Sequence, residues 1–124
     1  MKAKNLRELV RFSSKEPVHA SVFETERLWS ELICLERNQQ VGPMEDPVSE
    51  VLCTVVAGEV VVQLDRARKR VTQWTVVLVP AQTQLFVTNA SDEPAVVMLT
   101  AAPPPQVTDG AQAGGEATAA EASD

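Results

Sequence analysis

From Pro17 onward the chain alternates short apolar runs with turn-forming residues. The runs are four to ten residues long and rich in valine, which reads as strands rather than helices. Residues 18–23 and 27–36 form the first two, separated by Glu24-Thr25-Glu26. The polar segment 37–40 is a turn. Gly42, Pro43 and Pro47 make residues 41–47 irregular or a broken edge strand. Residues 51–64 read as two strands with Gly58 as the break or bulge between them. Asp65-Arg66-Ala67-Arg68 is a polar hairpin tip and residues 70–73 return from it. Val76-Val77-Leu78-Val79 is a continuous apolar run, as expected of a strand covered on both faces. Residues 85–88 and 95–101 close the series around a turn at 89–94. Before all of these, Asn5-Leu6-Arg7-Glu8 predicts a short N-terminal helix with Asn5 as its cap. The expectation is an all-β sandwich or barrel, and a double-sheet jelly roll also protects most strand edges.

Composition refines this outline. The chain has 124 residues, room for one domain. We expect residues 1–102 to form it. Residues 103–124 carry one aliphatic β-branched residue, Val107, and four acids (Asp109, Glu116, Glu121, Asp124) with no base. Such a segment buries too little apolar area to offset the entropy of ordering it, so it is expected to be a disordered acidic tail. It carries most of the formal −6 charge and leaves the body near −2. That balance argues against a nucleic-acid partner. No apolar run is long enough for a membrane span, and the N-terminus lacks the apolar core of a secretory signal. Cys34 and Cys53 lie inside apolar runs and are expected to be reduced, buried thiols of a cytoplasmic protein. A disulfide between neighbouring strands is the other reading.

The segment 80–94, PAQTQLFVTNASDEP, carries a proline and an asparagine at a recognisable spacing. With Gly58 it resembles the two motifs of the cupin family, and the resemblance spans roughly residues 6–105. In the first motif Gly58 is the closing glycine. Val51 then stands at the glutamate position, Asp46 and Met44 at the two histidine positions, and Asn38 at the opening glycine. In the second, Trp74 and Gln82 stand at the glycine positions, Leu85 at the histidine position, and Pro80 and Asn89 keep the family residues. Shifting the first motif by one residue puts Glu45 and Pro47 at the histidine positions, which is no better. The resemblance implies a double-stranded β-helix whose metal site has been replaced.

A cupin metal takes three imidazoles and a carboxylate. Met44 offers a weak thioether, Asp46 one carboxylate, and Val51 and Leu85 nothing. No metal or other cofactor is therefore expected. If the family geometry holds, Met44, Val51, Cys53, Val55, Leu85 and Val87 line the barrel interior with Asp46 near its mouth, and Asp46 with Trp74 or Gln82 would orient a bound ligand. Either these side chains plug the barrel, or they leave an apolar pocket for a small apolar or acidic ligand. His19, the one histidine, falls outside both motifs and reads as a surface or edge-strand residue. The cluster Arg66, Arg68, Lys69 and Arg70 reads as a solvated turn, or as a dock for an acidic partner.

No catalytic residue is identified. The preferred reading is a metal-free, non-catalytic binding, regulatory or structural module. The alternative is a cofactor-independent isomerase or epimerase of a small metabolite. The family resemblance also implies a homodimer, with Phe23, Leu28 and Trp29 as interface candidates.

Overall fold

The computed structural model describes residues 1–105. The disordered-tail expectation therefore falls, from residue 106, outside the described residues. Strands follow in the order β1 (Val18–Glu24), β2 (Trp29–Leu35), β3 (Gln40–Met44), β4 (Glu50–Ala57), β5 (Glu59–Leu64), β6 (Ala67–Thr72), β7 (Val76–Val79), β8 (Leu85–Thr88) and β9 (Ala95–Ala102). They form two antiparallel sheets, β1-β2-β9-β4-β7 and β3-β8-β5-β6. This is the expected jelly roll. The N-terminal element is a single 3-10 turn, Leu6–Leu9, and Asn5 caps it: its Oδ1 accepts from the Arg7 amide at 3.0 Å.

Strand alternation sends every second side chain to each face. The inner faces meet in one core that includes Ile33, Leu35, Cys53, Val55, Val60, Val62, Leu85, Val87, Val97 and Leu99. A second cluster lies on the outer face of the five-stranded sheet. There Val22, Leu32, Cys34 and Val96 are covered by Leu6, Leu9 and Val10 of the N-terminal segment. The two cysteines thus occupy opposite faces of one sheet. Both are free and buried, which rules out the disulfide reading.

Gly58 separates β4 from β5 at φ +81°, and a Cβ there would stand 2.6 Å from the Pro94 carbonyl oxygen. Only glycine lets the two backbones approach this closely. In β3, the pairing with β8 is irregular between Val41 and Met44, around Gly42-Pro43.

Two expectations need correction. The run Val76–Val79 is not covered on both faces. Val77 and Val79 point inward, while Val76 and Leu78 are 54% and 56% exposed. Its position at the edge of the sheet leaves the outer face uncovered. The hairpin after Leu64 is also tighter than expected. Leu64 pairs directly with Ala67 and the returning strand begins there. Arg68, Lys69 and Arg70 are therefore strand residues, and only Arg66 is at the tip.

Candidate functional site

The loops that frame the barrel interior preserve an unusual backbone. Asn38, Trp74 and Gln82 have φ of 68°, 75° and 66°. These are the three motif glycine positions that hold another residue here; the fourth, Gly58, keeps its glycine at φ +81°. Glycine adopts this conformation without strain and asparagine with little, whereas Trp74 and Gln82 each hold it at a cost of about 1–2 kcal/mol. Asn89 is wholly buried. Its Nδ2 donates to the Leu35 and Glu93 carbonyls at 3.0 and 2.8 Å, and its Oδ1 accepts from the Ser91 amide and hydroxyl at 2.9 and 2.8 Å. Its four hydrogen bonds tie β2, β8 and the turn before β9 together.

Within that frame, the interior positions are filled with hydrocarbon and thiol. Cys53, Val55 and Val87 are fully buried and Leu85 is 2% exposed, all in the main core. Met44 pairs with Leu85 across β3 and β8, and Met44 and Val51 pack against the same core. The structure thus brings together six of the residues the motifs single out. It separates the other three. Trp74 is 81% exposed and Gln82 is also exposed, so neither lines the interior. Their left-handed backbone is used to turn the chain, not to aim a side chain inward. Asp46 is half-buried and caps its own loop: its Oδ2 accepts from the Val48 and Ser49 amides at 2.9 and 2.7 Å. The pattern Asp-x-x-Ser at 46–49 is a local turn signal that the sequence does carry.

These residues do not fit a first-row metal. Val51 and Leu85 have no lone pair to offer, and the Asp46 carboxylate is engaged by two loop amides. Among the described residues no group of three His, Cys, Asp or Glu side chains could hold a metal ion.

Burial pushes the Cys53 thiol up to about 12. Burial also raises Cys34, against the lowering effect of a hydrogen bond with the Arg11 backbone and of the Arg11 charge. A thiol held protonated is a poor nucleophile, so both cysteines serve as small core residues.

Two features escape the motif frame. A small apolar cavity of about 110 Å³ lies where β5, β6 and β7 meet, lined by Val62, Leu64, Ala67, Val71 and Val77 and rimmed by Arg68 and Lys69. Lys69 pairs with Val62 and stands on the inner side of the edge strand β6. The sequence shows Lys69 only as one of a basic run, and its facing depends on the hairpin register. The second feature is a pair of ionisable groups. His19 on β1 places Nδ1 3.2 Å from Oε1 of Glu31 on β2. Glu31 is 5% exposed and sits among inward-facing neighbours of β2. His19 is indeed an edge-strand residue, but one with a buried carboxylate beside it.

No protein-family model matches the sequence, and no curated protein matches it. Solved structures do. The protein TT1209 from Thermus thermophilus is 26% identical, with a TM-score of 0.79 over 83% of this chain and 98% of that one. An RmlC-like cupin protein from Desulfovibrio desulfuricans is 27% identical, with a TM-score of 0.75 over 83% of this chain and 97% of that one. A protein with a double-stranded β-helix domain from Klebsiella pneumoniae is 19% identical, with a TM-score of 0.78 over 83% and 90% of the two chains. The jelly-roll topology, the left-handed positions of the motif loops and these neighbours agree: the chain has the double-stranded β-helix fold of the cupin superfamily, of the RmlC-like kind.

Proposed function

We propose that this chain is a metal-free, non-catalytic cupin that acts as a binding, regulatory or structural module. The observation that carries the reading is the packing of Met44, Val51 and Leu85 into the apolar core at the positions where the motifs place metal ligands. A site needs at least three donors, and these side chains supply none of useful strength. The unpaired thiols of Cys34 and Cys53 suit a reducing, cytoplasmic setting.

The ligand that fits best is a small apolar acid. Its hydrocarbon end would enter the cavity between β6 and β7 and its carboxylate would meet Arg68 and Lys69. The space holds roughly four water-sized groups, which suits a short-chain or branched-chain carboxylate and is too small for a sugar nucleotide. Thermal melting against a panel of such acids tests this, because a ligand of the folded state raises the melting temperature by mass action. The expected result is a concentration-dependent rise that Lys69→Glu abolishes. No rise at millimolar acid, or an equal rise in the variant, contradicts the ligand assignment.

A second reading, a cofactor-independent isomerase, draws on one observation, the His19–Glu31 pair. A carboxylate beside imidazole Nδ1 is the arrangement that orients a histidine base. The cavity beside β6 does not reach this pair, and neither does the groove beside Trp74, since both are lined by other residues. Proton exchange into a carbon acid from deuterated buffer, lost in His19→Gln, would favour this reading over the first.

A further inference from the structure

A groove of about 330 Å³ lies outside the barrel, between the outer face of the five-stranded sheet and the N-terminal segment. The sheet supplies Val56 and Val96, the N-terminal segment Leu6, Arg7 and Val10, and the turn before β7 Trp74. The aliphatic members belong to the outer cluster and not to the main core. The groove is therefore separate from the cavity between β6 and β7.

Two backbone irregularities build it. Val55 pairs with Val97 and Ala57 with Val96, so Val56 is the extra residue of a β-bulge. Bulges bend a strand and re-aim a side chain, and they recur beside binding sites. Trp74 is tied to the same place. Its amide donates to the Val55 carbonyl at 2.8 Å, and the Val55 amide donates to the Thr75 carbonyl at 2.9 Å. With φ of 75° its backbone is strained, yet the side chain is 81% exposed. The strain therefore brings little packing of the indole inside the chain. Backbone strain of this kind collects at functional positions, and here it holds an indole at the rim of the groove.

The charge beside the groove is basic. Residues 1–15 carry Lys2, Lys4, Arg7, Arg11 and Lys15 against one acid, Glu8. Some of these cations are engaged. Lys4 lies over the Phe23 ring at 5.3 Å, and the Arg11 guanidinium donates to the Glu8 and Val10 carbonyls. Arg7 lines the groove and makes no ion pair among the described residues. No acid lines the groove, and its other polar side chain is Gln73.

We propose that this groove binds an aromatic carboxylate. The ring lies against the Trp74 indole and the aliphatic side chains, and the carboxylate meets Arg7. Indole is the best aromatic partner for a flat ring, and the planar guanidinium matches a carboxylate with two parallel hydrogen bonds. The volume is that of a small-molecule pocket and is three times that of the cavity between β6 and β7. A substituted aromatic ring fits the groove and is too large for the cavity.

Nitrogen–proton NMR of the full chain tests the assignment with trans-cinnamate as the probe. The chain has two tryptophans and so two indole N–H signals, which Trp74→Phe assigns. Trp29 packs against the main core and serves as the internal control. The expected result is a saturable shift of the Trp74 signal, half-complete below about 1 mM cinnamate, with Trp29 unmoved. Arg7→Gln is expected to weaken binding by about 10-fold, and cinnamyl alcohol, which lacks the charge, to bind more weakly by a similar factor. Trp74→Ala is expected to abolish the heat of binding in calorimetry. Both side chains are exposed, and circular dichroism checks that the fold is kept. Lys69→Glu is expected to leave cinnamate binding unchanged, which separates this site from the cavity. The proposal is overturned by the absence of a saturable shift at about 10 mM cinnamate. Equal affinity for cinnamyl alcohol, binding unaffected by Arg7→Gln, or binding lost in Lys69→Glu overturns it as well.

Discussion

Asn89 shows how a motif residue can persist for structural reasons. Its side chain fills all four of its hydrogen-bonding places inside the protein. Asn89→Ala leaves the Leu35 carbonyl buried without this donor, and we expect a loss of about 2–4 kcal/mol in urea unfolding. Gln82 makes the opposite case. It holds φ of 66° with an exposed side chain, and glycine there removes the strain at some expense in unfolded-chain entropy. Gln82→Gly is expected to raise stability by up to about 1 kcal/mol, and Gln82→Val to lower it by at least as much. Both are read from chemical denaturation midpoints. The turns built by Gly58, Asn38 and Asn89 were legible in the sequence because turn chemistry is local. Trp74 and Gln82 were matched to the motif glycines, but nothing in a tryptophan or a glutamine announces a left-handed backbone. The His19–Glu31 pair was not legible, because it exists only through the register of β1 on β2.

At the scale of elements, β4 divides its residues cleanly between faces. Cys53 and Val55 enter the core while Leu52 and Thr54 face outward. The Cys53 thiol gives this burial a pH signature. Its pKa is pushed up to about 12 in the folded chain, from 9.0. The folded state therefore keeps a proton that the unfolded state has lost at high pH. The corresponding stability is complete below about pH 9 and declines as pH rises toward 12, by on the order of 4 kcal/mol. Cys34 contributes in the same direction. Denaturation midpoints between pH 8 and pH 11 should fall steeply in the wild type and more gently in Cys53→Ala; parallel profiles would contradict the burial of that thiol. The alternation of β4 was partly readable, since Thr54 interrupts its apolar run. That of β7 was hidden, because four consecutive aliphatic residues look the same whether one face is covered or two. Only its place at the sheet edge decides the matter, and strand order is a property of the whole topology.

The whole molecule separates scaffold from chemistry. The jelly roll, its closing turns and its left-handed loop positions match the cupin frame, while the interior of that frame is continuous with the hydrophobic core. Concentrated charge lies elsewhere, in the basic strand β6. Fold was readable because packing and turn residues are distributed along the entire chain. Function was less so, because Val51 and Leu85 at the motif positions offer no metal donor and point to no other chemistry. The central claim, a cupin without a metal, is tested most directly by titrating the purified full chain with Fe(II), Mn(II), Ni(II), Cu(II) and Zn(II). Bound metal and melting temperature are measured together. The expected result is well under one ion retained per chain after desalting and no change in melting temperature. One ion per chain with a rise in melting temperature that Met44→Ala or Asp46→Asn removes would contradict it.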